Sequence, residues 1–149
     1  MQINLKIIKI HEGWESKPYL CPANVPTIGY GNTFYEDGRK VSLKDTGITN
    51  ERGEQLLRWY VLSYCVPTIK KYVNAKLNDN QNSALASFIF NLGPNNFIKS
   101  TLLRKINKNP QDSAIRNEFG KCINSGGKPS NGLIKRRKSE ADLYFTPVQ

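Results

Sequence analysis

The sequence predicts an α+β fold in which a small antiparallel sheet precedes a larger set of helices. Residues 17–41 combine short extended segments with turn residues, whereas apolar residues recur at helical spacing after residue 48. A chain of 149 residues is long enough to bury one core. We therefore expect a single domain, with the sheet over about 14–48 and helices over 1–13 and 49–149.

The first element is predicted to be a short amphipathic helix that ends near Gly13. Apolar residues recur at helical spacing, at Ile3, Ile7 and Ile10. Glu12 lies four residues after Ile8, so it falls at the edge of the predicted buried stripe. Partial burial disfavours a charged carboxylate, which suits a group that has to donate a proton. The alternative is an ordinary charged residue that closes a surface helix.

The next segment is predicted to form short strands joined by turns. Tyr19 and Cys21 share one face of an extended segment, and Pro22-Ala23-Asn24 is typical of a turn. A second turn is predicted at Glu36-Asp37-Gly38, and a third strand at Arg39-Lys40-Val41.

The second strand has an unusual face, formed by Thr27, Gly29 and Gly31. Two glycines beside a threonine predict a nearly bare surface on which a bulky ligand could lie. The alternative is that the glycines only allow the hairpin to bend. Gly29-Tyr30-Gly31 lacks the third glycine and the following helix of a dinucleotide-binding loop.

The remainder of the chain is predicted to be helical. Thr49 is a suitable N-cap for a helix, and Pro67 should break or kink that helix. A central helix is expected over Gln81–Leu92, ended by Gly93-Pro94. Further helices are expected over 100–107, 110–123 and 132–145. Residues 125–132 are expected to form a flexible connector.

The chain is strongly basic, with a formal net charge of +10. Residues 99–149 hold eleven Lys and Arg residues against four Asp and Glu residues. This imbalance favours an anionic partner, which could be nucleic acid, a membrane surface or an acidic cell-wall polymer. The alternative is a solvated basic face that only maintains solubility.

The composition indicates a cytoplasmic product without a metal or cofactor site. No apolar run is long enough to span a bilayer, and the N-terminus lacks the apolar centre and cleavage site of a secretory signal. Potential soft ligands are few and scattered: Cys21, Cys65, Cys122 and His11. Zinc sites need clustered ligands, and an odd cysteine count without a signal peptide favours free thiols.

One acidic residue and two small polar residues lie close together near the N-terminus. Eight residues separate Glu12 from Cys21, and five separate Cys21 from Thr27. Glycoside hydrolysis needs a proton donor on the leaving oxygen and a positioned water or nucleophile on the other side of the sugar. This segment has candidates for both. The competing interpretation is a basic binding module without catalysis, but a nucleic-acid binder has no use for an acid at the mouth of a positive surface.

Several motifs match a known family in order along the chain. They are His11-Glu12-Gly13, Tyr19-x-Cys21-Pro22-Ala23, Thr27-Ile28-Gly29-Tyr30-Gly31-Asn32-Thr33, Phe88-x-Phe90-Asn91-x-Gly93, Ser100-Thr101-Leu102 and Gly132-Leu133-x-x-Arg136-Arg137-x-x-Glu140. The chain resembles the phage-type lysozymes, or endolysins, of glycoside hydrolase family 24. The resemblance implies a lysozyme-like fold, with the active-site cleft between a small sheet lobe and a larger helical lobe.

The resemblance also implies an activity. The family hydrolyses the β-1,4 bond between N-acetylmuramic acid and N-acetylglucosamine in peptidoglycan. We therefore expect a monomer that lyses bacterial cells, with no cofactor and no nucleic-acid partner. Without a signal peptide, it is expected to reach the wall after release through a separate membrane-permeabilising protein.

The resemblance assigns roles to individual residues. Glu12 matches the catalytic general acid, and Thr27 matches the threonine that holds the attacking water. Cys21 occupies a position where many members carry an aspartate. Either Cys21 is partly a thiolate, helped by nearby positive charge, or Thr27 and Glu12 carry more of the chemistry. The remaining alternative is that Cys21 is a small packed residue and another group serves.

Other matched residues lie in the second half of the chain. Phe90, Asn91 and Ser100 match positions that line the sugar cleft, although Phe90 is equally explained as a core residue. Arg136 or Arg137 matches an arginine that approaches the catalytic glutamate, with Arg136 preferred. The alternative is two solvated arginines that pair with Glu140, one turn away.

Overall fold

The structure of the chain is a computed structural model that describes residues 1–149. It contains eight α-helices, four short strands and one π-helical segment. They are α1 (Lys6–Glu12), β1 (Glu15–Leu20), β2 (Pro26–Gly29), α2 (Asn50–Tyr60), the π-helical segment (Val61–Cys65), α3 (Val66–Tyr72), α4 (Asp79–Leu92), α5 (Pro94–Ile98), α6 (Thr101–Lys108), α7 (Ile115–Phe119), β3 (Asn124–Ser125), β4 (Lys128–Pro129) and α8 (Asn131–Tyr144). The predicted α+β class is confirmed.

The chain forms two compact units. One unit is Ile8–Ser63, and the other combines Met1–Ile7 with Tyr64–Gln149. None of the helices combines the length and the apolar character needed to cross a membrane.

The sheet of the Ile8–Ser63 unit is the antiparallel β1–β2 hairpin, in which Tyr19 lies opposite Thr27. The predicted turn at 22–24 joins the two strands. The predicted third strand at 39–41 is wrong, because this segment makes only one isolated bridge, between Phe34 and Lys40. The chain reverses at 36–38, and the two sides are joined by hydrogen bonds from the Tyr35 N–H to the Arg39 carbonyl and from the Val41 N–H to the Thr33 carbonyl, both 2.9 Å.

A small core supports this hairpin. Ile28, on the face opposite Thr27, is fully buried against Val41 and Leu56. The α2 helix begins as predicted, since Thr49 Oγ1 accepts a hydrogen bond from the Arg52 N–H at 3.1 Å. The hairpin is therefore held on a helix by its apolar face.

The other unit is built around α4, which is buried from Gln81 to Ile89. A reciprocal capping box between Asn78 and Gln81 starts this helix, and Gly93 ends it as predicted. The α8 helix packs along α4. Aromatic rings fill the space around Phe88, which meets Phe119 edge to face with ring centroids 5.7 Å apart.

The predicted interruption at Pro67 is confirmed. The helix that starts at α2 passes through the π-helical segment Val61–Cys65 and resumes as α3, with Pro67 in its first turn. Proline has no N–H to donate and is accommodated only in the first turn of a helix. The α-helical hydrogen bonds therefore cannot continue without interruption past Pro67.

The N-terminal stripe was predicted only in part. The helix begins at Lys6, after Ile3, and the buried side chains are Leu5 and Ile8. Ile10 is 66% exposed, so its assignment to the buried stripe is wrong. The later start of the helix shifts the buried face onto Leu5 and Ile8.

Two predictions in the last third of the chain are also wrong. The helix expected over 110–123 is only Ile115–Phe119, because the Asn109 and Asp112 side chains accept hydrogen bonds from the backbone two residues on and form turns instead. The connector expected over 125–132 contains the β3–β4 hairpin. Gly126 and Gly127, with φ of 58° and 81°, supply the two positive φ angles that such a tight turn requires.

Candidate active site

Glu12 is the last residue of α1, and its carboxyl group lies against the backbone of Gly31. The Gly13 N–H donates to the Lys9 carbonyl at 3.1 Å and closes the helix. Glu12 itself is half-buried. A Cβ atom at Gly31 would lie 3.1 Å from Glu12 Oε1 and 3.2 Å from its Cδ. Gly31 also has a φ of 101°, a conformation that other residues rarely adopt. Both its backbone angle and its neighbour therefore require glycine at this position.

The face predicted to be bare is covered by the protein itself. Thr27 is only 3% exposed. A Cβ atom at Gly29 would lie 3.4 Å from Ile48 and 3.6 Å from the Trp14 ring. The prediction of an open glycine face is therefore wrong. The two glycines make room for side chains of this unit, and at Gly31 that side chain is the candidate acid.

Cys21 and Thr27 lie together at the turn of the β1–β2 hairpin. The Cys21 N–H donates to the Val25 carbonyl at 3.1 Å, and the Thr27 hydroxyl donates to the same carbonyl at 2.8 Å. The pKa of the Cys21 thiol is lowered, first by a hydrogen bond from the Val25 backbone and then by one from the Ala23 backbone. Hydrogen bonds, and not the positive charge expected from the sequence, therefore favour the thiolate.

Tyr19 connects these groups to Glu12. Burial raises the pKa of Tyr19, and the negative charges of Glu12, Cys21 and Glu15 raise it further, in that order. The phenol therefore lies within electrostatic reach of both the candidate acid and the candidate thiolate. The shared strand face of Tyr19 and Cys21 was predicted from the sequence, but the prediction gave Tyr19 no role in the site.

The second arginine-containing motif forms a buried ionic cluster in the other unit. Arg136, Arg137 and Glu140 are at most 3% exposed. Arg137 Nη2 donates to Glu140 Oε2 at 3.0 Å, and Arg136 Nε lies 3.4 Å from the same oxygen. The Ser87 hydroxyl also donates to Glu140 Oε2, at 2.5 Å. The predicted pairing with Glu140 is present for both arginines, but the description of them as solvated is wrong.

The remaining predicted sugar-binding residues lie in the same unit as this cluster. Phe90 and Asn91 are half-buried, and Asn91 Oδ1 is buried without a hydrogen-bond partner. The Ser100 hydroxyl donates to the Phe97 carbonyl at 2.7 Å and accepts from the Leu103 N–H, so it caps α6. Ser100 also lines a pocket of about 360 Å³, together with Phe88, Leu92, Asn96, Lys99, Thr101, Leu102, Glu118, Lys121 and Cys122.

The chain contains no group of three or more His, Cys, Asp or Glu side chains placed to hold a metal ion. All three cysteines are free. Burial raises the pKa of the Cys65 thiol to about 12 and also raises that of Cys122. Cys21 is therefore the one thiol whose surroundings favour the anion.

A model of the phage lysozyme family matches residues 9–140. This chain belongs to the phage lysozyme family. The endolysin of Salmonella phage P22 is 37% identical over 140 residues, which cover 93% of this chain and 92% of that protein. The endolysin of Bacillus phage B103 is 36% identical over 97% of this chain and 53% of its own length. The resemblance inferred from the motifs is confirmed.

Solved structures of an endolysin and of a muramidase domain share the fold. An endolysin from the Escherichia coli O157:H7 phage FAHEc1 superposes with a TM-score of 0.87, at 32% identity over 97% of this chain and 94% of that one. The muramidase domain of SpmX from Asticaccaulis excentricus gives a TM-score of 0.82, at 29% identity over 98% of this chain and 99% of that domain. The predicted lysozyme-like fold is confirmed.

The site residues expected from the family divide between the two units. Glu12, Cys21 and Thr27 belong to Ile8–Ser63, as do Tyr19 and Gly31. The predicted sugar-binding residues belong to the other unit: Phe90, Asn91, Ser100 and Arg136. The first group carries a carboxyl, a thiol and two hydroxyls, and the second offers an amide and a ring.

Proposed function

We propose that this chain hydrolyses the β-1,4 bond between N-acetylmuramic acid and N-acetylglucosamine in bacterial peptidoglycan, with Glu12 as the general acid. The observation that carries the assignment of Glu12 is its half-buried carboxyl, held over Gly31 in the same unit as the hairpin that carries Cys21 and Thr27. The chain is a glycoside hydrolase of the lysozyme type, and its relatives are endolysins and a muramidase domain.

The proposed reaction is a hydrolysis with one acid and one base. Glu12 donates its proton to the glycosidic oxygen as the bond from that oxygen to the anomeric carbon breaks. A water held by Cys21 and Thr27 adds to the anomeric carbon and gives a proton to the Cys21 thiolate. The products are two shorter glycans, a Glu12 carboxylate and a Cys21 thiol. Proton exchange with solvent then restores both groups.

Residues of the other unit are proposed to bind the glycan. The free acceptor of Asn91 suits the N–H of an N-acetyl group, because a buried amide oxygen without a partner gains most from a ligand donor. Phe90 offers an apolar ring beside it. We assign supporting roles in binding the glycan to Ser100 and Arg136.

The enzyme is proposed to act as one lysozyme domain and as a monomer on an anionic wall. The eleven basic residues of 99–149 suit a polymer that carries carboxylates and phosphates. Access to the wall is proposed to need a separate membrane-permeabilising protein. Cells that express the chain alone should remain intact until chloroform is added, and spontaneous lysis would contradict this part of the proposal.

The test of the function is the turnover of purified peptidoglycan by Glu12→Gln. The amide keeps the shape of the side chain but cannot donate the proton, and general acid catalysis contributes about 100- to 10,000-fold. Turnover should fall by that factor while the melting temperature stays near that of the native chain. The matched control is Glu51→Gln, which removes an exposed carboxylate from the same unit and should keep full turnover. Near-native turnover by Glu12→Gln would rule out the assignment.

A further inference from the structure

Tyr19 shares one face of the β1–β2 hairpin with Cys21 and Thr27. It is the direct partner of Thr27 across the strands, and it precedes Cys21 by two residues, so the three side chains project to the same side. Pairing continues past the end of β1, because the Cys21 N–H donates to the Val25 carbonyl. Side chains in direct register have Cβ atoms about 4.5–5.5 Å apart. The Tyr19 side chain is therefore a neighbour, on this face, of the two residues proposed to hold the water.

The Thr27 hydroxyl has no proton left to donate to a ligand. The group has one proton, which it donates to the Val25 carbonyl at 2.8 Å. Towards a water molecule, Thr27 can therefore only accept a hydrogen bond, and a thiolate at Cys21 can also only accept. A water held by these two groups donates both of its protons to them, so a further hydrogen bond to this water has to come from another donor.

The Tyr19 hydroxyl is a donor suited to complete this arrangement. The side chain is half-buried, and its hydroxyl makes no hydrogen bond within the protein. Burial and the nearby negative charges raise the pKa of Tyr19 above its ordinary value of 10.0, so the phenol keeps its proton. Glu12 and Cys21 are the two largest charges acting on it. The phenol is thus within electrostatic range of both reacting groups.

We propose that the Tyr19 hydroxyl positions the attacking water, by donating a hydrogen bond to one lone pair and leaving the other directed at the anomeric carbon. This inference rests on the proposed roles of Cys21 and Thr27. No bond to Tyr19 forms or breaks in the reaction. The proton of the water still goes to the Cys21 thiolate, and the proton of Glu12 still goes to the leaving oxygen.

The experiment is Tyr19→Phe, which removes one oxygen and keeps the ring. A net hydrogen bond contributes about 1 kcal/mol, which is about fivefold in rate, so kcat on purified peptidoglycan should fall about fivefold with little change in KM. The matched control is Tyr35→Phe in the same unit, where the lost hydroxyl donates to Asp45 at 2.7 Å. This control should lower the melting temperature and leave kcat unchanged.

A binding measurement separates positioning of the water from binding of the sugar. The Kd for a soluble disaccharide-peptide fragment of peptidoglycan should be the same for Glu12→Gln alone and for Glu12→Gln combined with Tyr19→Phe. A kcat for Tyr19→Phe within twofold of the native value would overturn the inference. A weaker Kd matched by a higher KM would also overturn it, because Tyr19 would then contact the sugar. Full turnover by Glu12→Gln alone would instead contradict the proposed function.

Discussion

The contact between Gly31 and Glu12 gives a prediction that separates catalysis from stability. In Gly31→Ala, the new Cβ atom meets Glu12 Oε1 at 3.1 Å and its Cδ at 3.2 Å, so the carboxyl has to move by a few tenths of an ångström. The φ of 101° adds strain for any residue with a side chain, at a cost of about 1–3 kcal/mol. For a domain of this size, that cost lowers the melting temperature by roughly 2–10 °C.

The loss of activity should exceed what this strain explains. A misplacement of 1 Å can cost about 100-fold in rate, so a shift of a few tenths of an ångström should lower kcat by about tenfold. Gly38→Ala is the matched control, because Gly38 lies in the same unit with a φ of 85°, and a Cβ atom added there would meet no other atom within 4 Å. It should lose similar stability and keep its kcat. The assays are thermal unfolding and turnover of purified peptidoglycan below the melting temperature of each variant. An unchanged kcat in Gly31→Ala, or an equal loss in Gly38→Ala, would refute the reasoning.

Two further predictions concern Cys21 and Glu140. The pKa of the Cys21 thiol is lowered and those of Cys65 and Cys122 are raised, so iodoacetamide at neutral pH should modify Cys21 first and abolish turnover. Peptide mass and activity follow the two effects. Full activity after stoichiometric modification of Cys21 would make it a packing residue. Glu140→Gln should lower the free energy of unfolding by about 3–5 kcal/mol, because it leaves two buried arginines without their carboxylate. The control is Asp142→Asn, because Asp142 is exposed and pairs with Arg116 and Lys138 at the surface. This variant should lower the free energy of unfolding by less than about 1 kcal/mol. Equal losses for the two variants in denaturant unfolding would contradict the prediction.

Elements with strong local signals were predictable from the sequence. The α4 helix combines continuous helical spacing with Gly93 at its end, and α2 begins at a threonine cap. The segment 110–123 contains apolar residues at helical spacing, but Asn109 and Asp112 bind the local backbone and shorten the helix. That competition between side chain and backbone is decided by geometry that a periodic pattern does not contain.

The candidate site was predictable in its residue types and less so in its physical state. The motifs identified Glu12, Cys21 and Thr27, but the thiolate-favouring hydrogen bonds come from backbone N–H groups whose directions depend on the turn at 22–24. The glycine pattern predicted a bare strand face on which a bulky group could lie. It could not indicate that the approaching group is Glu12, because that contact joins a helix end to a turn.

The most direct test of the central claim is the identity of the sugar at the new reducing end. Purified peptidoglycan digested with the native chain is reduced with borohydride, hydrolysed in acid and analysed for amino sugar alcohols. Cleavage between N-acetylmuramic acid and the following N-acetylglucosamine predicts muramitol in proportion to the bonds broken, and none above background with Glu12→Gln. Glucosaminitol in place of muramitol, or solubilised wall without new reducing ends, would contradict the account.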